Sequence, residues 1–152
     1  MGFFNELLGR LGLRDAAAPP RGQLSVFLLD DDTSRHDWFA KRFRGDGLDV
    51  AADPSRATEL LASHSYDAIF LDHDLLPEHY YADEHDDDHT GYAVARWLAS
   101  HPDRQTASTI IVHTRNADGA MRMVELLRAA GRTAEYVPFP LLSQLIRKNW
   151  RR

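Results

Sequence analysis

Asp67-Ala68-Ile69-Phe70-Leu71-Asp72-His73-Asp74-Leu75 decides the fold of this chain: a short apolar run breaks off into carboxylate, imidazole and carboxylate. An apolar run of this length, rich in Ile, Phe and Leu, reads as a strand buried on both faces, as in a parallel sheet. In open α/β sheets ligands bind beyond the carboxyl ends of the strands, so this acidic tip is where chemistry is expected. Leu24 to Leu29 repeats the signal and runs straight into Asp30-Asp31-Asp32. Two such tips side by side would gather five carboxylates, too much like charge to sit together without a cation.

Outward from these tips, strand and helix patterns alternate. Thr33 to Arg44 is amphipathic through Trp38, Phe39, Arg42 and Phe43, and Leu48 to Ala52 is a short strand. Asp53 then reads as an N-cap with Pro54 at the first helical position, opening a helix to Ser63. Thr90 or His89 caps a helix that carries Tyr92, Val94, Ala95, Trp97 and Leu98 and ends at His101-Pro102. Thr109 to His113 is a fourth strand, Asn116 or Asp118 opens a helix stopped by Gly131, and Ala134 to Val137 is a fifth strand. Leu141 to Trp150 closes the chain as an amphipathic helix with a basic end. Five strands with intervening helices make a doubly wound α/β domain.

With 152 residues, 43% of them hydrophobic, the chain fits one compact domain. A net charge of -5 argues against a general nucleic-acid binder. The absence of cysteine excludes disulfides, thiolate metal sites and cysteine nucleophiles. No apolar stretch approaches the roughly 18–20 residues of a membrane span, and a cytoplasmic location is expected. Residues 1–22 read as an N-terminal amphipathic helix and linker, and 23–152 as the α/β domain. Phe3, Phe4, Leu7, Leu8 and Leu11 share one helical face. That helix either folds back onto the domain or frays, or it docks a protein partner or a second copy of the chain.

The order of the strand tips resembles the receiver domain of two-component response regulators, over about Gln23 to Arg152. The resemblance implies a flavodoxin-like five-stranded parallel sheet in order 2-1-3-4-5. It places Asp30 and Asp31 (or Asp31 and Asp32) on the family's acidic pair, Asp72 on the phosphoacceptor and Thr114 on the hydroxyl residue. The lysine that follows the fifth strand in that family is missing: Val137 stands there, and the only lysines are Lys41 and Lys148. His73 and Asp74 after the acceptor, His113-Thr114-Arg115-Asn116, and Gly119-Ala120 with Met123 are similar to the divergent receiver-like family named for cyclic-phosphate processing. That similarity implies a receiver fold redirected towards phosphoester substrates.

Carboxylates with room for several waters suit Mg²⁺ or Mn²⁺, and with imidazole nearby Zn²⁺ also enters. The candidate metal ligands are Asp30, Asp31, Asp72 and Asp74, although one of Asp30 to Asp32 is expected to cap the following helix instead. The candidate catalytic residues are Asp72, His73, His113 and Thr114. If Asp72 and Thr114 face one way, alternation puts His73 and His113 together on the other side or the rim, as proton carriers or as packed histidines. Thr114, Arg115 and Asn116 are the candidate phosphate binders, Arg115 or Arg122 replacing the missing lysine, with surface and capping roles as the alternatives. The His- and Asp-rich insertion over residues 78–89 reads either as an extension of the metal site or as a solvated acidic lid. The ligand expected is a phosphate-containing small molecule or an RNA end. Three functions stand side by side: a metal-dependent cyclic phosphoesterase, a receiver phosphorylated on Asp72, and a non-catalytic interaction module.

Overall fold

The computed structural model describes residues 22–77, 79 and 86–149. The expected N-terminal helix, Trp150 and much of the insertion therefore lie outside the described residues. Among those residues, elements alternate as β1 (Ser25–Leu29), α1 (Thr33–Arg42), β2 (Gly47–Ala51), α2 (Pro54–Ser63), β3 (Ala68–Leu71), α3 (Gly91–Ser100), β4 (Thr109–Val112), α4 (Ala117–Ala129), β5 (Ala134–Tyr136) and α5 (Phe139–Asn149). The strands form one parallel sheet in the order β2-β1-β3-β4-β5, the flavodoxin-like arrangement expected. No helix among the described residues is long and apolar enough to cross a membrane.

Side-chain caps set the helix starts. Asp32 accepts from the N–H groups of Ser34 (2.8 Å) and Arg35 (3.1 Å), and Asp53 accepts from Arg56 (2.9 Å) with Pro54 at the first turn. Thr90 caps α3, and the Asn116 side-chain oxygen takes the Gly119 N–H at 2.9 Å to open α4. Caps of this kind each contribute about 1 kcal/mol. Behind α4, Gly131 turns the chain with φ +81, a conformation that costs glycine little.

The central strands are buried on both faces, so alternation sorts their residues into two layers. Phe27, Leu29, Ile69, Leu71, Ile110 and Val112 pack against α2, α3 and α4, through residues such as Leu61, Val94 and Met123. Val26, Leu28, Phe70 and Ile111 pack on the other face, against Phe39 and Phe43 near α1 and Leu142 of α5. Leu29, Leu71 and Val112 stand in register across β1, β3 and β4. The residues that follow them, Asp30, Asp72 and His113, therefore form the next row and project towards the α1/α5 layer. Backbone pairing continues through that row: Asp72 N–H donates to Leu29 O at 2.9 Å, and His113 N–H donates to Leu71 O at 3.0 Å.

Candidate functional site

The row Asp30, Asp72, His113 is the floor of the site, and all three side chains are buried. His113 Nε2 lies 2.7 Å from Asp30 Oδ2. From the first turn of α1, the Arg35 fork donates to both Asp30 oxygens, Nε to Oδ2 at 2.7 Å and Nη2 to Oδ1 at 2.8 Å, and Nη2 also reaches Asp72 Oδ2 at 3.2 Å. Burial pushes the Asp30 carboxyl up, but hydrogen bonds from His113 and Arg35 outweigh it and hold the group down at about 2. Asp72 goes the other way. Burial raises it to about 6, with the Asp30 charge adding to the rise against the pull of His113 and Arg35. Its remaining support includes the Thr114 hydroxyl.

Asp31 stands one residue further out. One ligand atom each from Asp30, Asp31 and Asp72 come within 4.8 Å of one another, the single such group among the described residues. Burial and then the charge of Asp30 raise the Asp31 carboxyl, and its Oδ1 is buried without a hydrogen-bond partner. An all-oxygen donor set with an unsatisfied carboxylate oxygen fits a hard divalent cation. Arg35, Asp72, Asp74, His113, Thr114 and Arg115 line an open cleft of about 460 Å³ beside it. Arg115 is exposed on its rim.

The geometry divides the acidic and imidazole residues between the two sides of the strand tips. Asp32 is the member of the first tip that caps α1, as one of Asp30 to Asp32 was expected to do, and Asp74 meets His73, whose Nδ1 is 2.7 Å from Asp74 Oδ1, so the two tips do not pool five carboxylates. His73 and His113 do not share a side. Counting outward from the aligned row, His113 follows Val112 by one residue and His73 follows Leu71 by two, so they leave the sheet with opposite parity. His113 packs by Phe39 and Phe139, whereas the His73 ring lies under α4, so close that a Cβ on Gly119 would stand 2.6 Å from it. Asn116 joins the His73 side too, its Nδ2 3.3 Å from Asp74 Oδ1 while its oxygen caps α4.

Arg122 is taken out of contention as the replacement cation. It pairs with Asp87 at 2.9 Å and stacks 4.3 Å over Tyr92. In the described part of the insertion, His79 is an anchor. Its Nδ1 accepts the N–H groups of Leu75 and Leu76, each at 3.2 Å, so its Nε2 carries the proton towards Asp86 at 3.3 Å. That arrangement leaves no ring nitrogen for a metal. His85 lies outside the described residues. Val137, in the place of the receiver lysine, is buried in the α1/α5 layer.

Arg35 is the residue that sequence reasoning missed. Its signal was present: a cation in the first turn of a helix opposes the helix dipole, so its position calls for a nearby anion. Five residues after Asp30, that anion is the strand tip itself.

Residues 25–129 match the family profile described as the cyclic-phosphate processing receiver domain. No curated protein matches the chain in sequence. Among solved structures, a Burkholderia pseudomallei response regulator with a phosphorylated aspartic acid, calcium ion and citrate is similar at TM-score 0.58 and 18% identity, over 85% of this chain and 67% of that one. The receiver domain of a Pseudomonas aeruginosa sensor histidine kinase, with magnesium in its active-site cleft, is similar at TM-score 0.58 and 21% identity, over 84% of this chain and 98% of that one. A CheY-like receiver from Methanospirillum hungatei gives TM-score 0.59 and 17% identity, over 84% and 90% of the two chains.

Proposed function

We propose, for a chain that belongs to the cyclic-phosphate processing receiver domain family, that it binds a divalent cation at Asp30, Asp31 and Asp72 and opens a cyclic phosphoester in the adjoining cleft. One observation carries this reading: three carboxylates from two strand tips converge within 4.8 Å beside a cleft that also holds Thr114, Arg35 and Arg115. Mg²⁺ or Mn²⁺ suits the oxygen donors, and when bound such an ion supplies charge to the phosphoryl oxygens and an activated water.

The chain's own residues do the rest. The Thr114 hydroxyl and the guanidinium groups lining the cleft hold the phosphoryl oxygens. His113, fixed by Asp30 at 2.7 Å, carries the proton taken from water. In the balanced reaction water oxygen bonds to phosphorus, one ring P–O bond breaks, and the leaving alkoxide takes a proton to give a phosphomonoester. The ligand on this reading is a small cyclic phosphate or an RNA end of the same chemistry, met in the cytoplasm. Mn²⁺ titration is expected to raise the melting temperature, and Asp72→Ala to abolish that rise. Formation of phosphomonoester from a panel of cyclic nucleotides with Mg²⁺, Mn²⁺ or Zn²⁺ tests the reaction. No turnover of any member sinks the catalytic half of the proposal.

A second reading has its own support, since Asp72 ends β3 in the same cluster with Thr114 beside it: a phosphoacceptor receiver. Incubation with acetyl phosphate followed by intact-mass measurement separates the two. A stable aspartyl phosphate on Asp72 favours the second.

A further inference from the structure

We infer that Arg35 is a resident counter-cation of the carboxylate cluster, which a divalent ion displaces and which then serves as the phosphate-binding cation of the cleft. The inference rests on the metal reading of Asp30, Asp31 and Asp72 and adds the order of events at that site. Two of the three carboxylates are already bridged by one guanidinium, 2.7 and 2.8 Å from the Asp30 oxygens and 3.2 Å from Asp72. Around that fork the Asp30 oxygens also receive His113 and the Asp32 N–H, the latter at 2.9 Å. Asp30 cannot keep all these donors and become a metal ligand as well, so the donor it releases is the one with another place to go.

Arg35 has that place. Arg35 lines the cleft with Thr114, Arg115 and Asp32, whose Oδ2 is 3.5 Å from its Nη1, and its side chain is 19% exposed, whereas His113 is 1% exposed with its ring held among Phe39 and Phe139. It is also needed there. The fifth-strand tip offers only the buried Val137, and Arg122 is held by Asp87. A planar fork binds two phosphoryl oxygens in the same geometry with which it now binds a carboxylate.

The two halves of this exchange predict changes of opposite sign, which a merely structural arginine would not produce. Removing the guanidinium charge deletes a competitor for the same carboxylate oxygens, and Mn²⁺ binding to Arg35→Gln, measured by calorimetry, should tighten by about tenfold or more. Binding of inorganic phosphate to the Mn²⁺-saturated protein should weaken by about tenfold in the same variant. Arg35→Lys keeps the charge without the fork and should leave Mn²⁺ affinity near wild type while still weakening phosphate; it also serves if the glutamine variant does not fold. Mn²⁺ affinity of Arg35→Gln equal to or below wild type, or phosphate affinity unchanged by either substitution, overturns the inference. If wild type binds no Mn²⁺ at all, it is the metal site that fails.

Discussion

His113 and His73 leave neighbouring strands one residue apart in phase, and that single residue gives them different surroundings. His113 belongs to the row of Asp30 and Asp72 and touches the carboxylate cluster. His73 belongs to the next row and is folded under α4, bound to Asp74 and pressed against Gly119. One histidine is part of a charged floor that opens to the cleft, and the other is part of a clasp that ties the β3 tip to the start of α4. Parity at the strand exit, more than residue type, decides which side of the sheet each imidazole meets.

The sharpest way to break this contrast is to remove each ring. His113→Ala should lower cyclic-phosphate turnover by about 10²–10⁴-fold, the usual loss for a general acid or base. His73→Ala should leave turnover by the folded protein within a few-fold of wild type. Equal losses in phosphomonoester formation would dissolve the distinction.

Stability probes the same two regions. Asp30→Ala strips His113 and Arg35 of their shared acceptor, and breaking a buried pair in this way costs about 3–5 kcal/mol, measured by urea unfolding. On the His73 side, Gly119→Ala places a methyl 2.6 Å from the ring. The clasp must shift to admit it, at a cost of about 1–3 kcal/mol, with Mn²⁺ affinity near wild type because the carboxylate floor lies on the other face of the sheet. Loss of Mn²⁺ binding in Gly119→Ala would show the two faces to be coupled.

The smallest effect is the pH dependence. Asp30 is held at about 2, below its ordinary 3.8, so its stabilising contribution is complete above pH 3.8 and fades as pH falls through about 2. Asp72 sits at about 6, above its ordinary 3.8, so the folded state favours its protonated form. Its contribution is present below pH 3.8 and lost as pH rises through about 6. The melting temperature without metal should therefore decline by a few degrees as pH rises from about 4 to about 6. Saturating Mn²⁺, which binds the ionised carboxylate, should flatten or reverse that slope. An identical slope with and without Mn²⁺ would remove Asp72 from the ion's ligands.

Much of this was legible in the chain itself. The apolar runs ending in Asp30-Asp31-Asp32 and Asp72-His73-Asp74 identify the buried strands and their acidic edge, because burial on both faces leaves few places for an acid except the strand tip. Asp53-Pro54 announces its helix start, and Thr90 or His89 and Asn116 or Asp118 narrow the next two to a pair each, since a cap bonds to backbone within three residues and is therefore a local fact. Which of the five carboxylates gather was not local. It depends on the register of β1 against β3, which brings Asp30 and Asp31 up to Asp72, whereas the partners of Asp32 (Ser34 and Arg35) and of Asp74 (His73) are close in sequence. The division of the two histidines and the approach of Arg35 likewise depend on how strands leave the sheet and how α1 lies across it. Hydrogen bonds between residues as distant in sequence as Arg35 and Asp72, or Asp30 and His113, arise from packing, and only the assembled sheet brings them within reach.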